Sequence, residues 1–267
     1  MKKQISILGC GWLGLPLGKM LLEKKYQVNG STTSSEKLEI LEKEGIKSFL
    51  IQLEEGKKPK GMTAFLKGSQ ALIIAIPPRL RAEKAESFTN KIKGIIPQIE
   101  KSKIENVLFI SSTSVYGKSI EGLITEKSPL EPDTESGKQM LEVEALLQKN
   151  NHFATTVLRF GGLIGPDRNP VTILATKQNT DADAPINLIH LDDCLGIIDE
   201  VITQQCWGET FNAVAPNHPT RKSFYTQQAK ELKVKVPKFL KKKSMAYKTI
   251  SSTRLEHILD YEFKFKM

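Results

Sequence analysis

The sequence predicts an α/β protein built on a doubly wound parallel sheet, with a small C-terminal lobe attached. Segments of strand and helix character alternate through roughly the first 160 residues, the order that buries a parallel sheet between two helical layers. Residues 71–76 and 107–110 are apolar at every position rather than at every second one, as strands covered on both faces must be. The first strand also runs straight into a glycine-rich turn, Gly9-Cys10-Gly11-Trp12-Leu13-Gly14, and then into a helix.

The elements follow in order. Residues 4–8 read as a strand, and 13–25 as a helix with Leu13, Leu17, Met20 and Leu21 on one face and lysines in its last turn. A second strand at 26–28, a helix at 36–44 stopped by Gly45, and a third strand at 48–53 come next. The strand at 71–76 is stopped by Pro77 and Pro78, and a long helix over 82–100 carries Pro97 as a candidate kink. After the strand at 107–110 come a helix at 137–149 and a strand at 155–159. Beyond Gly165-Pro166 the rhythm changes: a loop-rich stretch to Pro185, a strand at 186–190, a helix at 194–203 with Asp192 as its expected cap, and a strand at 209–212. Helices near 221–232 and 253–259 complete the chain. The expected division is a dinucleotide-binding domain over 1–165, to which 186–212 returns, and a lobe made of 166–185 and 213–267.

Composition narrows the function classes. With 267 residues and 29.9 kDa, the chain suits one large domain or a domain with a lobe, and 39% apolar against 26% charged residues is ordinary globular composition. The formal charge is +9, and residues 230–267 contribute +7 of it through 11 basic residues and 4 acids. No aromatic or helical readout motif accompanies that charge, so a solvated lysine-rich tail is expected rather than a nucleic-acid surface. Cys10, Cys194 and Cys206 have no paired spacing and do not combine with His152, His190, His218 and His257 into a ligand pattern, which points to reduced thiols and no metal site. No apolar run approaches membrane-span length, so a cytoplasmic protein without a membrane partner is expected, with a homodimer left open.

The glycine turn points to a cofactor. Gly9 permits the tight turn, Gly11 lets the backbone approach a pyrophosphate, and Gly14 lets helix and strand pack closely, while the helix N-terminus, with Trp12 and Leu13, supplies N–H groups and partial positive charge. An NAD-binding version carries an acid at the end of the second strand to hold the ribose diol. Here that position reads Asn29-Gly30-Ser31-Thr32-Thr33-Ser34, with Lys37 soon after. Hydroxyls and a cation suit a 2′-phosphate, so Ser31, Thr32, Thr33 and Lys37 predict NADP, with NAD as the second choice.

Several spaced motifs then resemble one family, the atypical and extended short-chain dehydrogenase/reductases that include the NAD-dependent epimerase/dehydratases. They are the glycine turn, Ala75-Ile76-Pro77 at the end of the fourth strand, Ser111-Ser112-Thr113-Ser114-Val115-Tyr116-Gly117, the segment from Leu158 to Pro166, Asn187 to Asp193 with its Ile189-His190-Leu191-Asp192-Asp193, and the C-terminal Tyr261-Glu262-Phe263. The resemblance implies a Rossmann fold, a cofactor passing Ala75, Ile76, Pro77 and Ser111, and a small, sugar-related substrate bound near Ser112. The family's catalytic Tyr and Lys, four residues apart on one helix, fall on Ser136 and Met140, so both groups are missing. Lys138 cannot stand in, because two residues turn a helix by about 200°. Tyr116 is the first choice for a replacement acid, with Ser112 beside it, and Arg168 and His190 are candidate substrate contacts. Two functions stay open: an NADP-dependent oxidoreductase or epimerase-like enzyme, and an NADP-binding sensor without turnover.

Overall fold

The computed structural model describes residues 3–78, 86–174, 180–240 and 247–267. Seven strands form one sheet: β1 (Gln4–Leu8), β2 (Gln27–Thr32), β3 (Lys47–Leu50), β4 (Ala71–Ile74), β5 (Asn106–Ser112), β6 (Ala154–Phe160) and β7 (Thr210–Ala213). Their order is 3-2-1-4-5-6-7 and every neighbouring pair is parallel. This is the dinucleotide-binding order, in which the chain reverses direction across the sheet between β1 and β4 and leaves a crevice at their carboxyl ends.

Helices α1 (Gly14–Glu23), α2 (Glu36–Lys43), α3 (Met62–Leu66), α4 (Phe88–Glu100), α5 (Glu135–Gln148), α6 (Pro170–Leu174), α7 (Leu191–Thr203), α8 (Arg221–Glu231) and α9 (Thr253–Leu259) complete the fold. The strands sort their side chains by alternation. Ile5, Ile7, Ile73, Leu108 and Leu158 meet Leu17 and Leu21 of α1, Ile197 and Val201 of α7, and Leu255 and Leu259 of α9 in one core. Leu8, Leu72, Ile74, Val107 and Phe109 meet Phe65 of α3, Ile92 and Ile95 of α4, and Val143 and Leu147 of α5 in the other. Double winding therefore has a direct cause in the sequence: strands apolar at both parities need helices on both faces.

Several boundaries move. β2 runs on to Thr32, so the residues expected beyond the strand lie within it. The helix expected over 82–100 begins at Phe88, capped by the Ser87 side chain, and 82–85 fall outside the described residues. Pro97 sits inside α4 without ending it. Val171, Ile186, Tyr225 and Ala229 form a separate small core, whereas Leu255 and Leu259 of α9, with Tyr261 and Phe263, join the core on one face of the main sheet. Three parallel two-stranded pairs stitch the lobe and the loops together: Gly162–Ile164 with Leu188–His190, Gly122–Ile124 with Lys248–Ile250, and Thr180–Asp181 with Phe239–Leu240.

Candidate active site

The glycine turn joins β1 to α1 at the carboxyl edge of the sheet. Gly9 has φ +104°, and a Cβ there would lie 2.5 Å from Ile76 Cγ2 and 3.0 Å from the Ala75 carbonyl oxygen. At Gly14 a Cβ would come within 2.2 Å of the Gly9 carbonyl oxygen, so any side chain would force helix and strand apart. Gly11 differs from both. A Cβ there meets nothing within 4 Å, and Gly11 borders an open cleft of about 210 Å³. The three glycines thus divide into two required by packing and one whose bareness keeps the cleft clear.

That cleft is lined by Gly9, Cys10 and Gly11, by Thr32, Thr33, Ser34 and Lys37 at the end of β2, and by Ala75, Ile76 and Pro77 beyond β4. Ser31 also borders it, but its buried hydroxyl accepts the Gly9 N–H at 2.9 Å, and its carbonyl accepts the Cys10 N–H at 2.8 Å. Thr32 accepts the Ser34 N–H at 3.2 Å. The Ser31 and Thr32 hydroxyls each accept one backbone N–H in shaping the turn and keep their own O–H at the cleft lining, while Thr33 and Lys37 are exposed there. Cys10 packs over Gly30, where a Cβ would stand 2.6 Å from Sγ, and burial pushes its thiol up to about 12. Dehydration by burial outweighs the opposing backbone contact of Ser31 and favours the protonated thiol.

Two residues of the turn serve packing. Leu13 is buried in the core beneath α1. Trp12 braces the 165–168 turn: a Cβ on Gly165 would lie 2.9 Å from its ring, and the Arg168 guanidinium sits 5.3 Å from the ring centroid. Arg168 is exposed and rests on Trp12, a cation–π contact that needs no substrate.

At the ends of β5, β6 and β7 the expected centre takes another form. Tyr116, expected as the proton donor, has no exposed surface; its hydroxyl donates to Asn212 Oδ1 at 2.7 Å and accepts from Arg159 Nη1 at 2.8 Å. Burial raises its pKa, which Arg159 only partly offsets. Arg159 also holds Glu144 at 2.6 Å, and Glu144 accepts the hydroxyl of Ser111. Ser111, expected to touch the cofactor, is thereby turned into the protein, 3% exposed. Ser112 caps the 3₁₀ turn Thr113–Tyr116 by accepting the Ser114 N–H at 3.2 Å. Ser136 lies in the first turn of α5 and Met140 is buried, so neither brings an acid or a cation to the family's catalytic positions.

His190 is also claimed by the fold. It, rather than Asp192, caps α7, its Nδ1 accepting the Asp192 N–H at 3.2 Å, and its ring stacks on Phe265 with centroids 3.5 Å apart. Asp193, part of the motif that ends at His190-Leu191-Asp192-Asp193, is fully buried and gathers the C-terminal segment, accepting Tyr261 OH at 3.0 Å and the N–H groups of Lys264 at 2.7 Å and Phe265 at 3.2 Å. Among the described residues no metal-type cluster occurs, and no helix is long and apolar enough to cross a membrane.

No protein-family model matches the chain. Protein YeeZ of Escherichia coli (strain K12) is 32% identical to it over 265 residues, spanning 98% of this chain and 96% of that protein. The chloroplastic epimerase family protein SDR39U1 homolog of Arabidopsis thaliana is 25% identical over 246 residues, spanning 84% and 69%. Among solved structures, a UDP-glucose 4-epimerase of Thermotoga maritima with UDP-glucose superposes with a TM-score of 0.82 at 16% identity, covering 98% of this chain and 94% of that one. A UDP-glucuronic acid 4-epimerase of Bacillus cereus in complex with NAD gives 0.80 at 18% identity, with the same coverage. At such identities these two likenesses speak for the fold.

Proposed function

We propose, since this chain belongs to the epimerase/dehydratase-like short-chain dehydrogenase/reductases, that it is an NADP-dependent oxidoreductase or epimerase-like enzyme acting on a small, sugar-related molecule. The observation that carries the proposal is the empty space in front of Gly11, in a cleft walled by the ends of β1, β2 and β4. A pyrophosphate fits that space, with the N-terminus of α1 directed at it. Thr33 and Lys37, with the O–H groups of Ser31 and Thr32, are the groups available to a 2′-phosphate, and the turn between β2 and α2 offers a ribose diol no carboxylate from residues 29–35. A bound nicotinamide would supply or accept a hydride. Ala75, Ile76 and Pro77 would wall its cofactor, and Ser31 would hold the loop in shape through Gly9.

A second reading keeps the cofactor and drops turnover: an NADP-binding sensor. It is favoured by the sequestration of Tyr116 together with Ser136 and Met140 at the family's acid and cation positions. The two readings share one test. NADPH is expected to quench tryptophan fluorescence and raise the melting temperature more than NADH, by mass action on the folded state. Gly11→Val should abolish that response while keeping the fold, because the added side chain projects into the cleft and not into the core. Equal or better stabilisation by NADH would overturn the role of Thr33 and Lys37, and no response to either would remove the cofactor.

A further inference from the structure

Two lysines from separate helices reach the cofactor cleft. Lys37 lines it from the start of α2, and Lys91 lines it from α4. The strands that precede these helices, β2 and β4, stand on either side of β1, so the two lysines approach one space of about 210 Å³ from opposite walls. Among the described residues no carboxylate lines that space, and the two positive potentials add there.

Helix formation alone does not favour a lysine at position 91. It is the fourth residue of α4, near the end where the macrodipole repels a cation, and the first turn carries no acid to offset it. Its side chain is 25% exposed, and its ammonium pairs with Glu86 at 2.7 Å. That contact holds the Glu86 carboxyl below its ordinary range. Glu86 itself is exposed and does not line the cleft, so water can take over its charge when the lysine leaves. The backbone beneath Lys91 is secured. Ser87 caps the helix by accepting the Asn90 N–H at 3.2 Å, the Phe88 N–H donates to Gln139 Oε1 at 2.7 Å, and the Thr89 hydroxyl donates to Glu142 at 2.7 Å. Lys91 is thus held at the cleft by a fixed helix end, while its ammonium can exchange partners.

The NADP reading leaves a charge to be met. The pyrophosphate has backbone N–H groups and the N-terminus of α1, but a 2′-phosphate carries about −1.5 to −2 at neutral pH. Lys37 supplies one positive charge against it, and the hydroxyls at the end of β2 donate hydrogen bonds without adding charge. We infer that Lys91 is the second cation of the 2′-phosphate site, exchanging Glu86 for the phosphate and closing on it from the wall opposite Lys37. The inference rests on the cofactor reading and names a further determinant of its preference for NADP.

Calorimetric titration of the full chain tests it, with NADPH, NADH, 2′,5′-ADP and 5′-AMP as probes; the last two differ only in the 2′-phosphate. Lys91→Met should weaken NADPH and 2′,5′-ADP by about tenfold or more and leave NADH and 5′-AMP within about twofold, and Lys91→Arg should restore most of the loss. Glu86→Gln, which releases the lysine, should tighten NADPH. Lys93→Met removes the same charge from α4 outside the cleft and should leave NADPH within about twofold. Equal weakening of NADPH and NADH in Lys91→Met would assign the lysine to a part of the cofactor that both share, and unchanged NADPH would leave it with Glu86. Weaker NADPH in Glu86→Gln would mean that the ion pair must stay intact, and equal loss in Lys93→Met would reduce the effect to net charge. Each of these overturns the inference while the cofactor reading stands. A parent chain that binds neither dinucleotide removes the cofactor reading, and this inference with it. Variants are compared where their unliganded melting temperatures match that of the parent, and Lys91→Gln serves where Lys91→Met does not.

Discussion

The two ends of the carboxyl edge of the sheet are built by opposite means. Around β1 and β2 the cradle is made of backbone: Gly9, Gly11 and Gly14 contribute shape by lacking side chains, and one serine hydroxyl pins the turn. Around β5, β6 and β7 the same edge is made of side chains, with Ser111, Glu144, Arg159, Tyr116 and Asn212 joined in one buried chain of hydrogen bonds. The first arrangement keeps a space open and the second closes one. A family member that retained its acid would need that second region open to substrate; here a fully buried tyrosine and a buried ion pair fill it.

The difference can be broken most forcefully at Arg159. Arg159 and Glu144 side chains are 5% and 1% exposed, so Arg159→Leu would strand a dehydrated carboxylate and is expected to destabilise the fold by about 3–5 kcal/mol. Replacing both partners with leucine should recover much of that loss. Urea unfolding of the single and double variants measures it, and a loss below about 1 kcal/mol for the single change would mean that water reaches the pair. Tyr116→Phe is the milder break. It removes a hydroxyl serving two partners and should destabilise by about 1–3 kcal/mol, with NADPH affinity unchanged. A large fall in turnover without loss of stability would instead restore Tyr116 as the acid.

Legibility follows the same divide. The doubly wound parallel sheet and the glycine cradle could be read because their determinants are local: continuous apolarity within one strand, and three glycines within six residues. The side-chain network could not, since Tyr116 meets a partner 43 residues away and another 96 away, and no short motif records those separations. His190 shows an intermediate case. Its place before a helix was plain, but that its ring nitrogen rather than the Asp192 carboxylate would accept the first free N–H depends on Phe265, 75 residues on, fixing the ring. The anchoring role of Asp193 was hidden for the same reason, because these partners all come from the last seven residues.

The smallest expected effect lies in the backbone-built end and tests whether its floor is dry. Cys10 fills the space over Gly30, and its thiol is raised from 9.0 to about 12 by burial. A group whose folded value is raised holds its proton more firmly in the folded chain, so its contribution is fully present below pH 9 and is lost as pH climbs from 9 toward 12. Comparing the parent with Cys10→Ala cancels the other thiols, which are present in both. Between pH 8 and pH 10 the parent should lose about 1 kcal/mol more unfolding free energy than the variant, and Cys10 should resist alkylation at pH 8 in the folded protein. A thiol activated by the N-terminus of α1 would give the opposite sign, with the parent gaining on the variant between pH 6 and 8 and Cys10 alkylated quickly. That outcome would mean that the floor of the cradle is wet and polarised, and that Cys10 belongs with the groups facing a cofactor rather than with the packing that shapes the loop.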